Sequence, residues 1–259
     1  MTTTNPRIAV CDDYERAALA GADWSAIRER ADVVVFEQPF GSAERTIDAL
    51  RDFDAVCLMR ERTPFPATVI DALPRLKFIV FTGERNAAVD HEAAARRGIP
   101  VSCTPGGPSK ASTAELTWAL LLAAMKRVVP ADGGTRAGHW RLDSQGRRYA
   151  LPANLEGQRL GLLGLGQIGA RVARVGRAFG MDVVAWSQNL DDARAAEVGV
   201  RRVPKQELFE TSAAVSLHLV LSARTRGIVG AADLARMRPD AVIVNTSRSG
   251  LTAPAGRPS

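Results

Sequence analysis

The stretch RLGLLGLGQIGARVARVGRAFGMDVVAWS, residues 159–187, decides the fold. An apolar run leads into a Gly-x-Gly-x-x-Gly turn, a helical pattern follows, and Met181–Trp186 has the composition of a second strand. This order predicts a strand–turn–helix–strand unit. We expect Gly164 to allow the tight turn, Gly166 to let a pyrophosphate approach the helix N-terminus, and Gly169 to let the helix pack closely on the strand. The alternative is a plain glycine-rich turn in an α/β fold.

The same rhythm extends towards the N-terminus. Short apolar runs alternate with helical patterns and predict buried parallel strands at Arg7–Cys11, Asp32–Phe36, Ala55–Met59, Leu76–Phe81 and Pro100–Cys103. Thr104-Pro105-Gly106-Gly107-Pro108 is the clearest break in the chain and predicts a domain boundary. We therefore expect one domain over residues 1–104 and a second over 105–248.

The second half contains three less regular segments. Thr113–Val129 predicts a helix that is apolar nearly all round and therefore buried. Ala131–Asn154 predicts an irregular arm over the surface. The α/β rhythm continues to a strand at Ala241–Val244, and Ser249–Ser259 then has the composition of a disordered tail.

Composition argues against several classes of protein. The net charge is +6 and the pI is near 9.8, but basic residues are scattered and aromatic residues make up only 5%, so a nucleic-acid surface is not indicated. Cys11, Cys57 and Cys103 lack CxxC spacing and are expected to be reduced core thiols of a cytoplasmic protein. Neither a signal peptide nor a membrane span is indicated. No spacing of histidine, cysteine and carboxylate residues indicates a metal, and His91 and His139 are given no role.

Several segments, taken together and in this order, resemble the D-isomer-specific 2-hydroxyacid dehydrogenases. They are Arg60-Glu61-Arg62-Thr63, Thr82-Gly83-Glu84-Arg85-Asn86 with Asp90, Thr113-Ala114-Glu115-Leu116-Thr117, Gly164–Gly169, Ser216-Leu217-His218-Leu219 and Asn245-Thr246-Ser247-Arg248. The resemblance implies a flavodoxin-like substrate domain and a doubly wound parallel (Rossmann) cofactor domain, with the active site in the cleft between them. It also implies a homodimer formed through the cofactor domain, with the helix from Thr113 and the arm to Asn154 as its contacts.

The resemblance also assigns roles to residues. Arg248 matches the arginine that holds the carboxylate and polarises the carbonyl of a 2-keto acid, a task that suits a planar guanidinium, although an arginine after a strand is otherwise a surface cation. Gly83 and its neighbour Glu84 match the loop whose amides receive the carboxylate, and Arg60 lines the pocket. The cofactor is expected to contact Thr113, Gly164, Gly166, Gln167, Ile168, Gly169, Ser187, His218 and Thr246. For His218, a packing or capping role is an equal alternative.

The residues after the second strand of the cofactor domain bear on the choice between NAD and NADP. NAD-specific Rossmann domains place a carboxylate there for the ribose 2′-hydroxyl. This chain has Ser187-Gln188-Asn189 instead, with no arginine directly after. We therefore expect dual or NADP-leaning specificity.

The family's proton transfer uses a glutamate and a histidine that would follow Leu251, and neither occurs among these 259 residues. The tail looks like a shifted reading frame or a truncated gene, which would leave the Rossmann domain incomplete and the strand at Ala241–Val244 as an exposed edge. We expect marginal stability, self-association, and weak or absent activity. The alternatives are a non-catalytic dinucleotide-binding protein and an inactive fragment.

Overall fold

The computed structural model describes residues 5–104 and 109–253. Two compact units divide the chain, residues 1–107 and 108–259. Each unit contains one parallel sheet of five strands with helices between the strands. The α/β class and the alternating order of elements predicted from the sequence are therefore confirmed.

The first unit has the flavodoxin-like strand order. Its strands are parallel and follow the order 2-1-3-4-5, with a core of fully buried aliphatic and phenylalanine side chains between sheet and helices. In chain order its elements are β1 (Arg7–Val10), α1 (Ser25–Arg28), β2 (Asp32–Val35), α2 (Ala43–Leu50), β3 (Ala55–Leu58), α3 (Ala67–Asp71), β4 (Phe78–Phe81), α4 (His91–Arg96) and β5 (Val101–Cys103).

The second unit has the doubly wound order. In chain order its elements are α5 (Ser109–Met125), α6 (Val128–Arg136), β6 (Arg159–Leu163), α7 (Gln167–Ala178), β7 (Asp182–Trp186), α8 (Asp192–Glu197), β8 (Arg201–Arg202), α9 (Lys205–Thr211), β9 (Ala214–Leu217), α10 (Ala231–Arg236), β10 (Val242–Asn245) and a 3₁₀ turn (Ser249–Leu251). Its strands are parallel and lie in the order β10-β9-β6-β7-β8.

The unit at residues 159–187 folds as predicted. Leu160 and Leu162 of β6 are fully buried, and β6 pairs in parallel with β7 over five residues. Helix α7 ends where Gly180, at φ +72°, turns the chain back towards the sheet. Because each crossover places its helix on a face of the sheet, the ends of the strands that precede the helices collect at one edge.

Helix α5 is less buried than its composition predicts. Trp118 and Leu121 lie in the core, whereas Leu116 and Leu120 are 54% and 44% exposed. The helix also ends at Met125 instead of Val129, because Arg127 adopts a left-handed conformation (φ +56°) before α6 begins. One face of α5 packs on the sheet and the other carries leucines at the surface.

The prediction of an irregular arm over Ala131–Asn154 is wrong for its first part, which belongs to α6. Gly134 lies in this helix, and a Cβ there would come within 1.7 Å of the Leu142 carbonyl oxygen. The glycine that reads as a loop signal in the sequence instead lets the following segment fold back against the helix.

The prediction of a disordered tail from Ser249 is wrong for residues 249–253. Leu251 is fully buried, in the apolar cluster that also contains Leu217 and Val229. The Val229 amide donates to the Leu251 carbonyl at 3.0 Å, and the Ala253 amide donates to the Val229 carbonyl at 2.9 Å. This pairing is non-local, so no periodicity in the segment itself indicates it. Residues 254–259 lie outside the described residues.

Cys11, Cys57 and Cys103 have free thiols, but only Cys11 is fully buried, and Cys103 is exposed. The prediction that Cys103 lies in the core is therefore wrong: it belongs to β5, which among the described residues is an edge strand of the first sheet. Within the described ranges, no helix is both long and apolar enough to cross a bilayer. The same residues contain no cluster of side chains suited to a metal ion.

Candidate functional site

The loops after β6, β9 and β10 meet at the carboxyl edge of the second sheet. The His218 amide, just after β9, donates to the Leu163 carbonyl at the end of β6 at 2.7 Å. The Ser247 hydroxyl, just after β10, donates to the Leu219 carbonyl at 2.7 Å. Because the strand order reverses between β6 and β9, this edge is where open α/β sheets bind ligands.

Two of the three fingerprint glycines are required by packing. Gly164 has φ +102°, and a Cβ there would lie 2.8 Å from the backbone of His218. A Cβ on Gly169 would lie 2.2 Å from the Gly164 carbonyl oxygen, closer than real Cβ atoms approach backbone. These glycines let α7, β6 and the loop after β9 approach one another.

Gly166 differs from both. Its backbone is extended (φ −77°, ψ −161°), which any residue can adopt, and the described atoms beyond the local chain leave at least 4 Å of open space around an added Cβ. It is the N-cap of α7, whose first turn has no acidic residue, and among the described residues no side chain caps its free amides. A bound pyrophosphate needs free amides to donate hydrogen bonds and open space beside them. The first turn of α7 and the space at Gly166 supply both, so these residues fit that group.

The other predicted cofactor residues of this region lie around that turn. Gln167 is exposed at the start of α7, and Ile168 is half-buried against the core. Ser187 is half-buried directly after β7, whose last carbonyl, that of Trp186, accepts from the Gly164 amide at 2.8 Å. Ser187 therefore belongs to the same edge of the sheet as the glycine turn.

His218 is mostly buried and held by its own strand. Its Nε2 lies 2.9 Å from the Ser216 hydroxyl. Burial lowers the pKa of His218 from 6.5 to about 4, because the charged imidazolium loses its hydration. The backbone of His218, not its ring, lies against Gly164, and a Cβ on Gly169 would lie 3.7 Å from the Cβ of His218. These contacts agree with the packing alternative, and the contact of His218 with a cofactor stays a prediction.

This environment makes the stability of the second unit depend on pH. The unfolded chain takes up a proton at His218 near pH 6.5, whereas the folded chain does so only near pH 4. His218 therefore costs no stability above pH 6.5, and about 3 kcal/mol is lost as pH falls from 6.5 to 4. Urea unfolding of wild type and His218→Gln over this range measures the effect. Parallel pH profiles for the two proteins would contradict it.

Three threonines connect α5 to the end of β10. The Thr117 and Thr246 hydroxyl oxygens are 2.8 Å apart, and the Thr117 hydroxyl also donates to the Thr113 carbonyl at 2.8 Å. Thr117 is fully buried, while Thr113 and Thr246 are half-buried. The structure thus brings the predicted residues Thr113 and Thr246 together through Thr117, for which the sequence indicated no separate role.

Arg248 is exposed and carried by a fixed loop after β10. The Asn245 carboxamide oxygen accepts from the Ser247 amide at 3.0 Å, and its nitrogen donates to the Arg248 carbonyl at 3.0 Å. The guanidinium also donates to the Ser247 carbonyl at 3.1 Å. These bonds fix the backbone of Arg248 at the carboxyl edge of the sheet.

In the first unit, the predicted residues Arg60 and Gly83 lie against each other. Arg60 has φ +53°, and a Cβ on Gly83, at φ +102°, would lie 2.5 Å from Nη1 of Arg60. The Gly83 amide, expected to receive a carboxylate, here donates to the Thr104 hydroxyl at 2.9 Å. A carboxylate would have to replace that hydroxyl. Glu84 follows as an exposed residue.

Side chains that the sequence analysis gave no role hold Arg60 in place. The Arg60 amide donates to the Thr82 hydroxyl at 3.1 Å, and the carboxamide of Asn86, only 3% exposed, donates to the Arg60 carbonyl. In the same loop, Arg62 donates to the Asp12 carbonyl at 2.7 Å. Thr82, Asn86 and Arg62 all lie within the segments that carry the family resemblance. Their position in those segments is the sequence feature that could have pointed to them.

Comparisons with known proteins agree with this architecture. Residues 118–255, more than half of the chain, match the family model described as D-isomer specific 2-hydroxyacid dehydrogenase, NAD binding domain. The glyoxylate reductase of Korarchaeum cryptofilum is 34% identical over 245 residues, covering 94% of this chain and 71% of that protein. The glyoxylate reductase of Aeropyrum pernix is 36% identical over 211 residues, and the matched part covers 80% of this chain and 62% of that protein. The chain therefore spans less than two thirds of the Aeropyrum protein.

A solved structure shows the same fold. The phosphoglycerate oxidoreductase of Vibrio cholerae superposes with a TM-score of 0.86 at 36% identity, covering 96% of this chain and 78% of that one.

Proposed function

This chain is a member of the D-isomer specific 2-hydroxyacid dehydrogenase family, and on that premise we propose that it binds a nicotinamide dinucleotide and transfers hydride between it and a small 2-keto or 2-hydroxy acid. The observation that carries the proposal is the open space at Gly166, at the same sheet edge as the loop that fixes Arg248. An anion site and a guanidinium at one sheet edge suit a dinucleotide and an anionic substrate.

The second unit would hold the cofactor through the glycine turn. The amides at the start of α7 receive the pyrophosphate, Ser187 contacts the adenosine ribose, and Thr113 and Thr246 contact the phosphates or the nicotinamide side. When bound, the dinucleotide supplies or accepts a hydride at C4 of its nicotinamide. We further propose that the chain uses both NAD and NADP or prefers NADP. The segment Ser187-Gln188-Asn189 contains no carboxylate that would repel the 2′-phosphate of NADP.

Arg248 would bind the substrate. Its guanidinium can hold a carboxylate bidentately and stabilise the negative charge that develops on the carbonyl oxygen. In the first unit, considered by itself, Arg60 with Gly83 and Glu84 forms a second candidate site for an anion. Its guanidinium lies over the Gly83 backbone.

Proton transfer at this site needs a donor that is protonated at neutral pH. Of the histidines in this sequence, His218 is the one that lies at the carboxyl edge of the second sheet, directly after β9. His218 is engaged by Ser216, and its pKa of about 4 leaves it unprotonated at neutral pH. General acid catalysis contributes about 10²–10⁴-fold. This observation favours a second candidate function, dinucleotide binding without turnover.

Titration with NADH and NADPH, followed by assays with glyoxylate, hydroxypyruvate and pyruvate at high protein concentration, tests the proposal. We expect binding of both nucleotides and slow reduction. Arg248→Lys should lower kcat/KM about 100-fold, because a lysine cannot hold a carboxylate bidentately. It should leave nucleotide affinity within about twofold of wild type.

Binding without turnover would establish the second candidate instead. A wild-type chain that binds neither nucleotide would overturn both candidates.

We also propose a homodimer formed through the second unit. An apolar groove of about 610 Å³ lies between α5 and α7, with Trp118, Leu122 and Val175 among its lining residues. Glu115 lies on one wall and Arg171 and Arg174 on the other, an arrangement that is self-complementary under two-fold symmetry.

Free thiols at all three cysteines fit a reducing compartment, and we propose the cytoplasm.

A charge placed in the groove should separate the dimer. Val175, 40% exposed, lines the groove, whereas Val220, 76% exposed, does not. We expect Val175→Glu to shift the chain to monomers, because dimerisation would then have to take a charged carboxylate of each subunit out of water in an apolar contact, and Val220→Glu to leave the dimer intact. Sedimentation velocity measures both. A wild-type monomer, or equal dissociation of both variants, would contradict the proposed interface.

A further inference from the structure

The loop after β7 lacks a carboxylate, and an arginine from the neighbouring strand lies beside it. Strand β8 pairs in parallel with β7, and Arg202 is opposite Ala185. The Val203 amide then donates to the Ala185 carbonyl at 3.1 Å. Since parallel strands end at one edge, the end of β8 lies beside Ser187, although fifteen positions separate Arg202 from it in the sequence.

The two arginines of β8 point to opposite faces of the sheet, as neighbouring residues of a strand must. Arg201 pairs with Glu207 at 3.3 Å and lies 3.9 Å from Asp182. Arg202 instead reaches the other end of the β7–α8 loop, where its Nη1 is 3.8 Å from Oδ1 of Asp192, the first residue of α8. Its guanidinium therefore lies alongside the Ser187–Asp192 loop.

The pairing of Arg202 is weak. Within the described part of the chain its one polar partner is Asp192, too far away for a hydrogen bond and 86% exposed. Other cations of this region are committed. Lys205 donates to Asp233 at 2.8 Å and to the Ile228 carbonyl, and Arg194 pairs with Glu197. Arg202 is thus the cation of this region that can turn to an incoming anion at little cost.

We propose that Arg202 binds the 2′-phosphate of NADP(H) and sets the preference for this cofactor, an inference that rests on the proposed dinucleotide site. Ser187, with Gln188 and Asn189, supplies hydroxyl and amide donors on one side of the phosphate, and the guanidinium supplies two N–H donors and a positive charge on the other. NADH has only a hydroxyl at this position and gains little from Arg202.

Fluorescence titration of the full chain with NADPH and NADH tests this assignment. Arg202→Gln should weaken NADPH binding about tenfold or more, because one charge-assisted contact is lost, while NADH affinity changes less than about twofold. Arg201→Gln is the matched control, since it removes the same charge one residue away on the opposite face. It should leave the ratio of the two affinities unchanged.

A substitution that is expected to turn the cofactor preference from NADPH to NADH gives a second test. Ser187→Asp should repel the 2′-phosphate and favour the 2′-hydroxyl, so that the NADPH:NADH preference inverts. Adenosine 2′,5′-bisphosphate and 5′-AMP serve as small probes, and only the bisphosphate should lose affinity in Arg202→Gln.

The outcomes separate this inference from the function on which it rests. If wild type binds both nucleotides but Arg202→Gln binds NADPH as wild type does, or weakens both equally, Arg202 is not the 2′-phosphate ligand and the proposed function stands. A wild type that binds neither nucleotide would overturn the proposed function and this assignment together.

Discussion

Replacing Gly169 by alanine is expected to destabilise the second unit by about 3 kcal/mol or more, since overpacking a rigid contact forces the backbone apart. The new Cβ would lie 2.2 Å from the Gly164 carbonyl oxygen, and this neighbour is backbone that cannot turn away. Helix α7 would have to move off β6, where Leu160 and Leu162 are fully buried. Urea unfolding followed by tryptophan fluorescence measures the loss, because Trp118, Trp140 and Trp186 lie in this unit.

Gly166→Ala is the matched control for this result. The same methyl group enters open space three residues earlier, on a backbone that alanine adopts without strain. We expect a cost of about 1 kcal/mol or less, the usual difference between glycine and alanine at an N-cap. Equal destabilisation by the two substitutions would show that the contact between Gly169 and Gly164 does not hold α7 on the sheet.

Gly166→Asp is expected to weaken NADH and NADPH binding about 100-fold or more and to leave the unfolding free energy unchanged or slightly raised. Aspartate is a good N-cap, so its carboxylate would accept from the free amides of the first turn of α7. Those are the amides that the proposed site offers to the pyrophosphate, and the added negative charge repels the phosphates. Fluorescence titration and urea unfolding of one preparation give both quantities.

The two glycine substitutions separate ligand binding from folding. Gly169→Ala should damage the fold, whereas Gly166→Asp should damage binding alone. Gly166→Ala shows how much of the binding loss comes from the side chain's volume and not from its charge. Unchanged nucleotide affinity in Gly166→Asp would mean that no pyrophosphate lies at this helix terminus.

The central unit of the second domain could be predicted because its signals are local. The run before Gly164, the helical spacing in α7 and the stop at Gly180 lie within 29 residues, and each has a direct conformational meaning. The alternation of short apolar runs likewise predicts parallel strands buried on both faces. Strand positions in both units agree with the sequence prediction to within one or two residues.

Two of the wrong predictions concern segments whose structure depends on residues outside the segment. Ser249–Leu251 has no periodicity of its own, but Val229 pairs with it and buries Leu251. Gly134 reads as a loop signal, yet in α6 it makes room for Leu142. In both cases a non-local contact outweighs the local preference of the sequence.

The features of the candidate site also fall into two groups, those set by consecutive residues and those set by tertiary contacts. The sequence by itself determined the glycine turn, the carboxylate-free end of β7 and the Asn245–Arg248 segment, because each is a property of consecutive residues. Only the tertiary structure decided that Gly169 serves packing while Gly166 borders open space, that Thr117 joins Thr246, and that Arg202 lies beside the loop of Ser187. The physical reason is that pairing parallel strands brings together residues far apart in the chain, and no pattern within one segment encodes which of them meet.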